Sequence, residues 1–358
     1  MRIIFVLHGH ECGGAEKHAL MLMEGVKSEG HEVAFAGPMD SWLAENARAA
    51  GIPCIHVPMH GFYDAYSLYL LIKAAKGFKA DLLHGHLGRG SHYAGLASQL
   101  LKIPMIATAH STNTHKHFKR ANNIIAVSSA VREQLVDKGY SRERITLIHN
   151  GVPDPAVGGA DRSAIRSQLG LADREIALCM VARFIPDKGH ELAVTALADL
   201  KQANVLLFLI GKAEGKCYQA VRRQVRDLGL ERQIRFLGQR ENVNELLRGM
   251  DIYLAPSRRE AFPLSILEAC GAGLPMIATR VGGIPEIISD RENGLLFDSN
   301  DTASLVGLLN ELLASPDYRG TLSERARQNF TVNLSIKKML DSCIELYRSE
   351  LNSRSRTS

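Results

Sequence analysis

Short runs of β-branched and aliphatic residues alternate with longer amphipathic stretches along the whole chain, and the plan runs through twice. Strands separated by helix-length crossovers cannot pair as hairpins, so the alternation demands βαβ units and parallel sheets covered by helices. In the first half, strands are read at 2–7, 32–36, 54–57, 82–86, 105–109, 123–127 and 146–149, with helices at 15–29, 42–49, 91–101 and 130–138. In the second half they are read at 176–182, 205–210, 234–236, 252–255, 276–279 and 294–297. Between the halves lies the run from Asn150 to Pro155, followed by Gly158-Gly159, a turn-rich break of the kind that separates domains. The expectation is two similar α/β domains, 1–152 and 153–335, with a cleft between them, closed by a final amphipathic helix over 336–351.

Composition narrows the class further. With 46% apolar and 23% charged residues over 358 positions, the chain can bury a full core without covalent help. Its six cysteines (Cys12, Cys54, Cys179, Cys217, Cys270, Cys343) form no CxxC pair, which favours a reducing, cytoplasmic setting over a disulfide framework or a zinc cluster. The apolar run that opens the chain is too short for a signal-peptide core, and no stretch approaches the ~18 apolar residues of a membrane span. A net charge of +5 suits anionic ligands or an acidic membrane surface but is too weak a signal for nucleic acid.

Chemistry concentrates in the segment from Glu260 to Pro275, just past the strand at 252–255. Glu260 and Glu268 are eight positions apart, which places one on the loop ahead of a helix and the other one to two turns inside it, both at the carboxyl edge of the sheet. A carboxylate there suits bidentate bonding to vicinal sugar hydroxyls, and the N–H groups between Phe262 and Ser265, Leu264 among them and Pro263 having none, can hold a phosphate. Helix capping is the plainer reading of such a pair. Arg183 and Lys188 follow the strand at 176–182, where two cations can neutralise a diphosphate. Gly13 and Gly14 allow close backbone approach to a phosphate at the start of the helix that holds Glu16. Their spacing is not GxGxxG, and the second strand ends without an acidic ribose ligand, so a nicotinamide dehydrogenase is disfavoured.

Taken together, these segments resemble the retaining glycosyltransferase family 4, also called group 1, with its GT-B fold and E-x7-E motif. The resemblance rests on Gly13-Gly14-Ala15-Glu16, His110, Val127-Ser128, Asn150-Gly151-Val152, Arg183 with Lys188, Glu260 through Glu268, and Gly282-Gly283-Ile284-Pro285-Glu286. It implies two Rossmann-like domains, with the amino-terminal one receiving the acceptor and the other holding a nucleotide-diphosphate sugar. It also implies that the last helix packs back onto the first domain. In that family Arg183 and Lys188 would hold the donor phosphates, Glu268 the ribose, Glu260 the transferred sugar, and the backbone near Arg240 the base. His110 would approach the sugar or acceptor, and no metal or other cofactor would be needed. A UDP-sugar is favoured over a GDP-sugar, and the pathway suggested is surface polysaccharide or lipopolysaccharide assembly. Ala182 stands where many members carry Gly.

Other features stay open at this stage. His8/His10 and His84/His86 are both His-Gly-His, and alternate strand positions could ligate a metal, but no carboxylate or thiolate accompanies them, so polar lining or core packing is favoured. Leucines, tyrosines and lysines interleave over 63–79, and the run 115–120, with Lys116 and Lys119, is basic. Both lie on the acceptor side with Glu16 and Ser128, and suit either an anionic membrane and lipid-linked saccharide acceptor or a plain solvated surface. Two alternatives to transfer are a nucleotide-sugar epimerase of the same fold and a non-catalytic nucleotide-sugar binder.

Overall fold

The computed structural model describes residues 1–111, 116–155 and 161–355. His115 and the Gly158-Gly159 pair lie outside the described residues. Two compact units partition the chain, Met1–Gly151 with Ile336–Ser358, and Val152–Ser335.

The first unit is built on the parallel strands β1 (Arg2–Leu7), β2 (Glu32–Gly37), β3 (Cys54–His56), β4 (Leu82–His86), β5 (Met105–Ala109), β6 (Asn123–Ala126) and β7 (Ile145–Leu147), ordered β3-β2-β1-β4-β5-β6-β7. Ile3 to Leu7 are wholly buried, as expected of a central parallel strand with helices on both faces. The order reverses between β1 and β4, which opens a crevice beyond their carboxyl ends, the position where such sheets bind ligands. The helix Leu87–Leu101 leaves β4 with no intervening loop, four residues earlier than expected. Leu87 takes a left-handed conformation at φ 56°, and this sharp turn reverses the chain in place of a loop.

In the second unit the strands β8 (Ile176–Val181), β9 (Val205–Ile210), β10 (Ile234–Gly238), β11 (Ile252–Ala255), β12 (Met276–Thr279) and β13 (Leu295–Phe297) run parallel in the order β10-β9-β8-β11-β12-β13. Here the order reverses between β8 and β11. Leu178, Met180, Val205, Leu207, Ile252 and Leu254 fill the core on one side of this sheet, against helices at His190–Leu200 and Thr302–Ala314.

The final helix, Ile336–Ser355, extends beyond the expected position 351. Its Met339, Leu340, Cys343, Ile344 and Tyr347 are buried in one core with Ile3, Phe5, Leu22 and Val26. Gly25 makes this contact possible, because a Cβ there would overlap the Leu340 side chain. Val152 falls in the second unit: its amide donates to Leu334 O at 3.3 Å, and it forms an isolated parallel bridge with Ser335. Among the described residues no helix is long and apolar enough to cross a membrane.

Candidate active site

Because β8 and β11 are neighbours at the reversal of the second sheet, the loops that follow them must meet at its carboxyl edge. One carries Arg183 and Lys188, the other Glu260. Lys188 Nζ donates to Glu260 Oε1 at 2.6 Å, and Ser257 Oγ donates to the same oxygen at 2.8 Å. The Lys188 side chain is 20% exposed and that of Glu260 only 9%, so this is an ion pair largely withdrawn from water at a sheet opening. Such a pair is held by its surroundings, since desolvation offsets much of its Coulombic gain.

The surroundings are extensive. Arg258 NH1 donates to Pro186 O at 2.6 Å, the Arg258 amide donates to Asp187 O at 2.7 Å, and the guanidinium also pairs with Glu191. Arg259 forks onto the Asp187 carboxylate at 2.9 and 3.0 Å. Two glycines bring the backbones together. Gly189, at φ 68°, packs against Pro256 O, and Gly282, at φ 55°, packs against Glu260 O. A side chain at either position would be strained by φ and would collide with a carbonyl. The Gly282-Gly283 turn singled out in the sequence is therefore the floor beneath Glu260.

Glu268 is the fifth residue of the helix Leu264–Gly271, with Pro263 at its N-cap. Phe262 and Leu264 are buried, so these side chains pack inward, and what this turn can offer a ligand is backbone. Ser265 bonds the Tyr253 hydroxyl, which burial pushes far above its ordinary range. The Glu268 and Glu260 carboxylates add to that shift electrostatically. Arg183 is exposed at the mouth of the β8 loop. Arg240 is exposed just past β10, the edge strand, which lies two places from β8 in the sheet.

Sequence reasoning missed the supporting residues Ser257, Asp187, Arg258 and Arg259. Only the adjacency of β8 and β11 gives them meaning. His190 was missed as well. It stacks on Phe184 with ring centroids 4.2 Å apart, and burial holds its imidazole down to about 4, with the Lys188 ammonium adding to the effect. The folded value lies below the ordinary ~6.5, so the unfolded chain takes up the proton first and stability rises with pH between about 4 and 6.5. This residue is expected to contribute a slope of up to about 1.4 kcal/mol per pH unit in that window. Urea unfolding of His190→Leu at several pH values should show that part of the slope gone, whereas an unaltered slope would mean the imidazole titrates freely in the folded state.

At the reversal of the first sheet, Gly13 caps the helix Gly14–Ser28 through its backbone. Glu16 is buried, and its carboxylate folds back over Gly9 and Gly13, filling the space their side chains would occupy. His110, half-buried just past β5, meets His86 at the end of β4, with His86 Nδ1 and His110 Nε2 3.0 Å apart. His84 lies deeper, bonded to the Tyr347 hydroxyl and to Thr108 Oγ1, both at 2.7 Å. His84 and His86 thus point the same way on a strand, as their spacing requires. His8 and His10, by contrast, lie past the end of β1, on a loop where alternation has no force. His8 Nε2 instead meets Arg89 NH1 at 2.8 Å. His18 on the first helix, missed in the sequence, packs edge-on to His110 at 4.8 Å between centroids. Burial holds His84, His86 and His110 well below the usual histidine range, reinforced by the neighbouring imidazoles.

Of the other acceptor-side candidates, Lys116 and Lys119 are exposed. Ser128 corrects an expectation. It is fully buried, and its hydroxyl caps the helix Ser129–Asp137 by accepting from the Val131 amide at 3.3 Å, so its visible role is structural.

Known proteins match this arrangement over nearly the whole chain. Residues 161–329 match the family model described as glycosyl transferases group 1, and residues 12–154 match the one described as glycosyltransferase family 4. The D-inositol 3-phosphate glycosyltransferase of Corynebacterium efficiens is 30% identical over 283 residues, covering 70% of this chain and 67% of that protein. The lipopolysaccharide core biosynthesis glycosyltransferase LpsE of Rhizobium meliloti is 26% identical over 349 residues, covering 96% and 99%. Among solved structures, Anabaena HepE in complex with UDP-glucose superimposes with a TM-score of 0.88 at 22% identity, covering 98% of this chain and all of that one. With two parallel sheets of this topology and matches across both halves, the fold is GT-B and the chain belongs to the group 1 glycosyltransferases of family 4.

Proposed function

We propose that this glycosyltransferase moves a sugar from a nucleoside-diphosphate sugar, UDP-linked in preference to GDP-linked, to an acceptor hydroxyl with retention of anomeric configuration and without a metal. The observation that carries the reading is the Lys188–Glu260 pair at the sheet reversal, beside a helix start whose amides are available to phosphate. In the reaction the anomeric carbon loses its bond to the diphosphate oxygen and gains one to the acceptor oxygen, while the acceptor's proton balances charge on the released diphosphate. Lys188, Arg183 and the amides near Leu264 stabilise that developing charge, which a Lewis acid supplies elsewhere. Glu260 holds the sugar hydroxyls, Glu268 the ribose and the backbone near Arg240 the base, while His110 is assigned to the sugar or acceptor and Gly13 and Gly14 to a donor phosphate. The UDP-glucose bound to HepE and the lipopolysaccharide role of LpsE support a UDP-sugar donor and a saccharide or lipid-linked saccharide acceptor in surface glycan assembly.

Two measurements test the donor reading. UDP at ~100-fold its dissociation constant should stabilise the protein by about 2.7 kcal/mol, visible as a rise in unfolding temperature that GDP reproduces only at higher concentration. No rise with any nucleoside diphosphate would remove the donor site. Sugar analysis after incubation with donor alone distinguishes an epimerase, and nucleoside diphosphate release on adding acceptor excludes a mere binder.

Peripheral docking on an anionic membrane belongs to the same reading. The helix Ala65–Phe78 has no acidic residue. Tyr66, Tyr69, Lys73 and Lys76 fall at i, i+3, i+7 and i+10, one stripe of its surface, and all four are exposed. Tyr63, just before the helix, is 98% exposed. Aromatic rings beside lysines match a lipid headgroup boundary. Reversing both charges (Lys73→Glu with Lys76→Glu) should weaken flotation with phosphatidylglycerol vesicles by at least ~30-fold, at about 1 kcal/mol for each lysine removed. Equal flotation of parent and variant would mean the stripe is simply solvated.

A further inference from the structure

Three imidazoles converge at the reversal of the first sheet from three separate elements: His18 from the helix Gly14–Ser28, His86 from the end of β4, and His110 from the residue after β5. One ring nitrogen of each lies within 4.8 Å of the other two. His86 Nδ1 and His110 Nε2 are already 3.0 Å apart, and the remaining nitrogen of His86, Nε2, is buried without a hydrogen-bond partner. His18 and His86 are almost fully buried, so their rings cannot turn to water. We propose that this cluster is a binding site for a single divalent transition-metal ion, Zn²⁺ above all, in the acceptor-side unit.

Donor chemistry selects the ion. Imidazole nitrogens suit Zn²⁺ and its neighbours in the transition series, whereas Mg²⁺ and Ca²⁺ require oxygens, and the cluster contains no carboxylate. Zn–N bonds of about 2.0–2.1 Å put tetrahedral ligand nitrogens about 3.3 Å apart. The His86–His110 pair nearly meets that spacing already. The widest separation must close by about 1.5 Å, a movement that ring rotations supply without displacing backbone. Both ring nitrogens of His18 are likewise buried without a hydrogen-bond partner, so the helix brings an unengaged imidazole to the cluster. Three protein ligands leave a fourth position for water or a ligand oxygen. Only His110 is shared with the roles proposed above, and the site differs in place and chemistry from the Lys188–Glu260 pair, so it stands whether or not that pair holds a donor.

Protein stripped with a chelator and desalted should be titrated with Zn²⁺ against a chromophoric chelator, and in parallel with Co²⁺ followed by visible absorption. One equivalent of Zn²⁺ should bind, and Co²⁺ should give the intense d–d bands of a four-coordinate nitrogen site. His18→Gln, His86→Gln and His110→Gln should each weaken Zn²⁺ binding at least ~10²-fold, as expected for loss of a direct ligand when loss of an outer partner alone costs 10–100-fold. His10→Gln, on the exposed loop past β1, should leave the affinity unchanged. Absence of a four-coordinate Co²⁺ spectrum from folded parent protein overturns the proposal irrespective of how the variants fold. Binding that survives all three cluster substitutions does so as well, because the ion would then be held elsewhere.

Discussion

Lys188→Ala is expected to lower kcat/KM for transfer by at least ~10²-fold while the protein stays folded. Two losses combine. The ammonium no longer meets charge developing on the departing diphosphate, and Glu260, with a side chain only 9% exposed, is left without its cation. A buried carboxylate deprived of its partner turns away toward water, and that change spoils its hold on a sugar hydroxyl. Lys188→Arg keeps the charge but replaces a compact ammonium with a broad fork, so it should recover only part of the activity. Glu260→Gln should cost a similar factor through the other partner. The measurement is steady-state transfer at varied donor concentration, with circular dichroism and thermal unfolding as the check on the fold. Activity within threefold of the parent for both Lys188→Ala and Glu260→Gln would take the pair out of the chemistry.

The second large effect is expected at a residue with no chemistry of its own. Gly282→Ala places a Cβ directly on the Glu260 carbonyl oxygen and forces an L-residue to φ 55°. Backbone cannot yield as a flexible side chain would, so stability should fall by at least ~2 kcal/mol and the displaced Glu260 loop should lower transfer further. Gly307→Ala is the matched control. Gly307 lies exposed within the helix Thr302–Ala314, and a Cβ there meets nothing within 4 Å. The same substitution should therefore stabilise the helix by about 0.5–1 kcal/mol. Unfolding curves for the two variants should shift in opposite directions. A neutral Gly282→Ala would show that the turn has room to relax.

Legibility in the sequence follows from what each signal depends on. β1, β5, β9, β11 and β12 are apolar runs interrupted by no more than a terminal arginine or one threonine, and burial on both faces requires just that pattern, so their ends coincide with the expected ones. The start of the helix after β4 was not readable, because a leucine in the left-handed region carries no turn signature of the kind Gly or Asn would give. Glu260 and Glu268 announced themselves by spacing along one segment. The partnership of Glu260 with Lys188 joins residues 72 positions apart, and it becomes necessary only once β8 and β11 are known to be neighbours. The histidine cluster was half visible. Strand alternation predicts that His84 and His86 point together, yet nothing local to His18 tells that its helix turns it toward them. Ser128 failed for the opposite reason, since a serine before a helix is first of all a cap.

The passage of the last helix into the core of the first unit has a consequence for the order in which this protein can mature. On a ribosome, every strand of the first sheet emerges early, but the apolar surface meant for Met339, Leu340, Cys343, Ile344 and Tyr347 stays uncovered while the entire second unit is made. The second unit is contiguous in sequence and can consolidate by itself. The amino-terminal half, although synthesised first, is finished last, and until then His84 has no Tyr347 hydroxyl to bond. Released chains truncated before residue 336 should accordingly yield a protease-resistant second unit joined to a protease-sensitive first one.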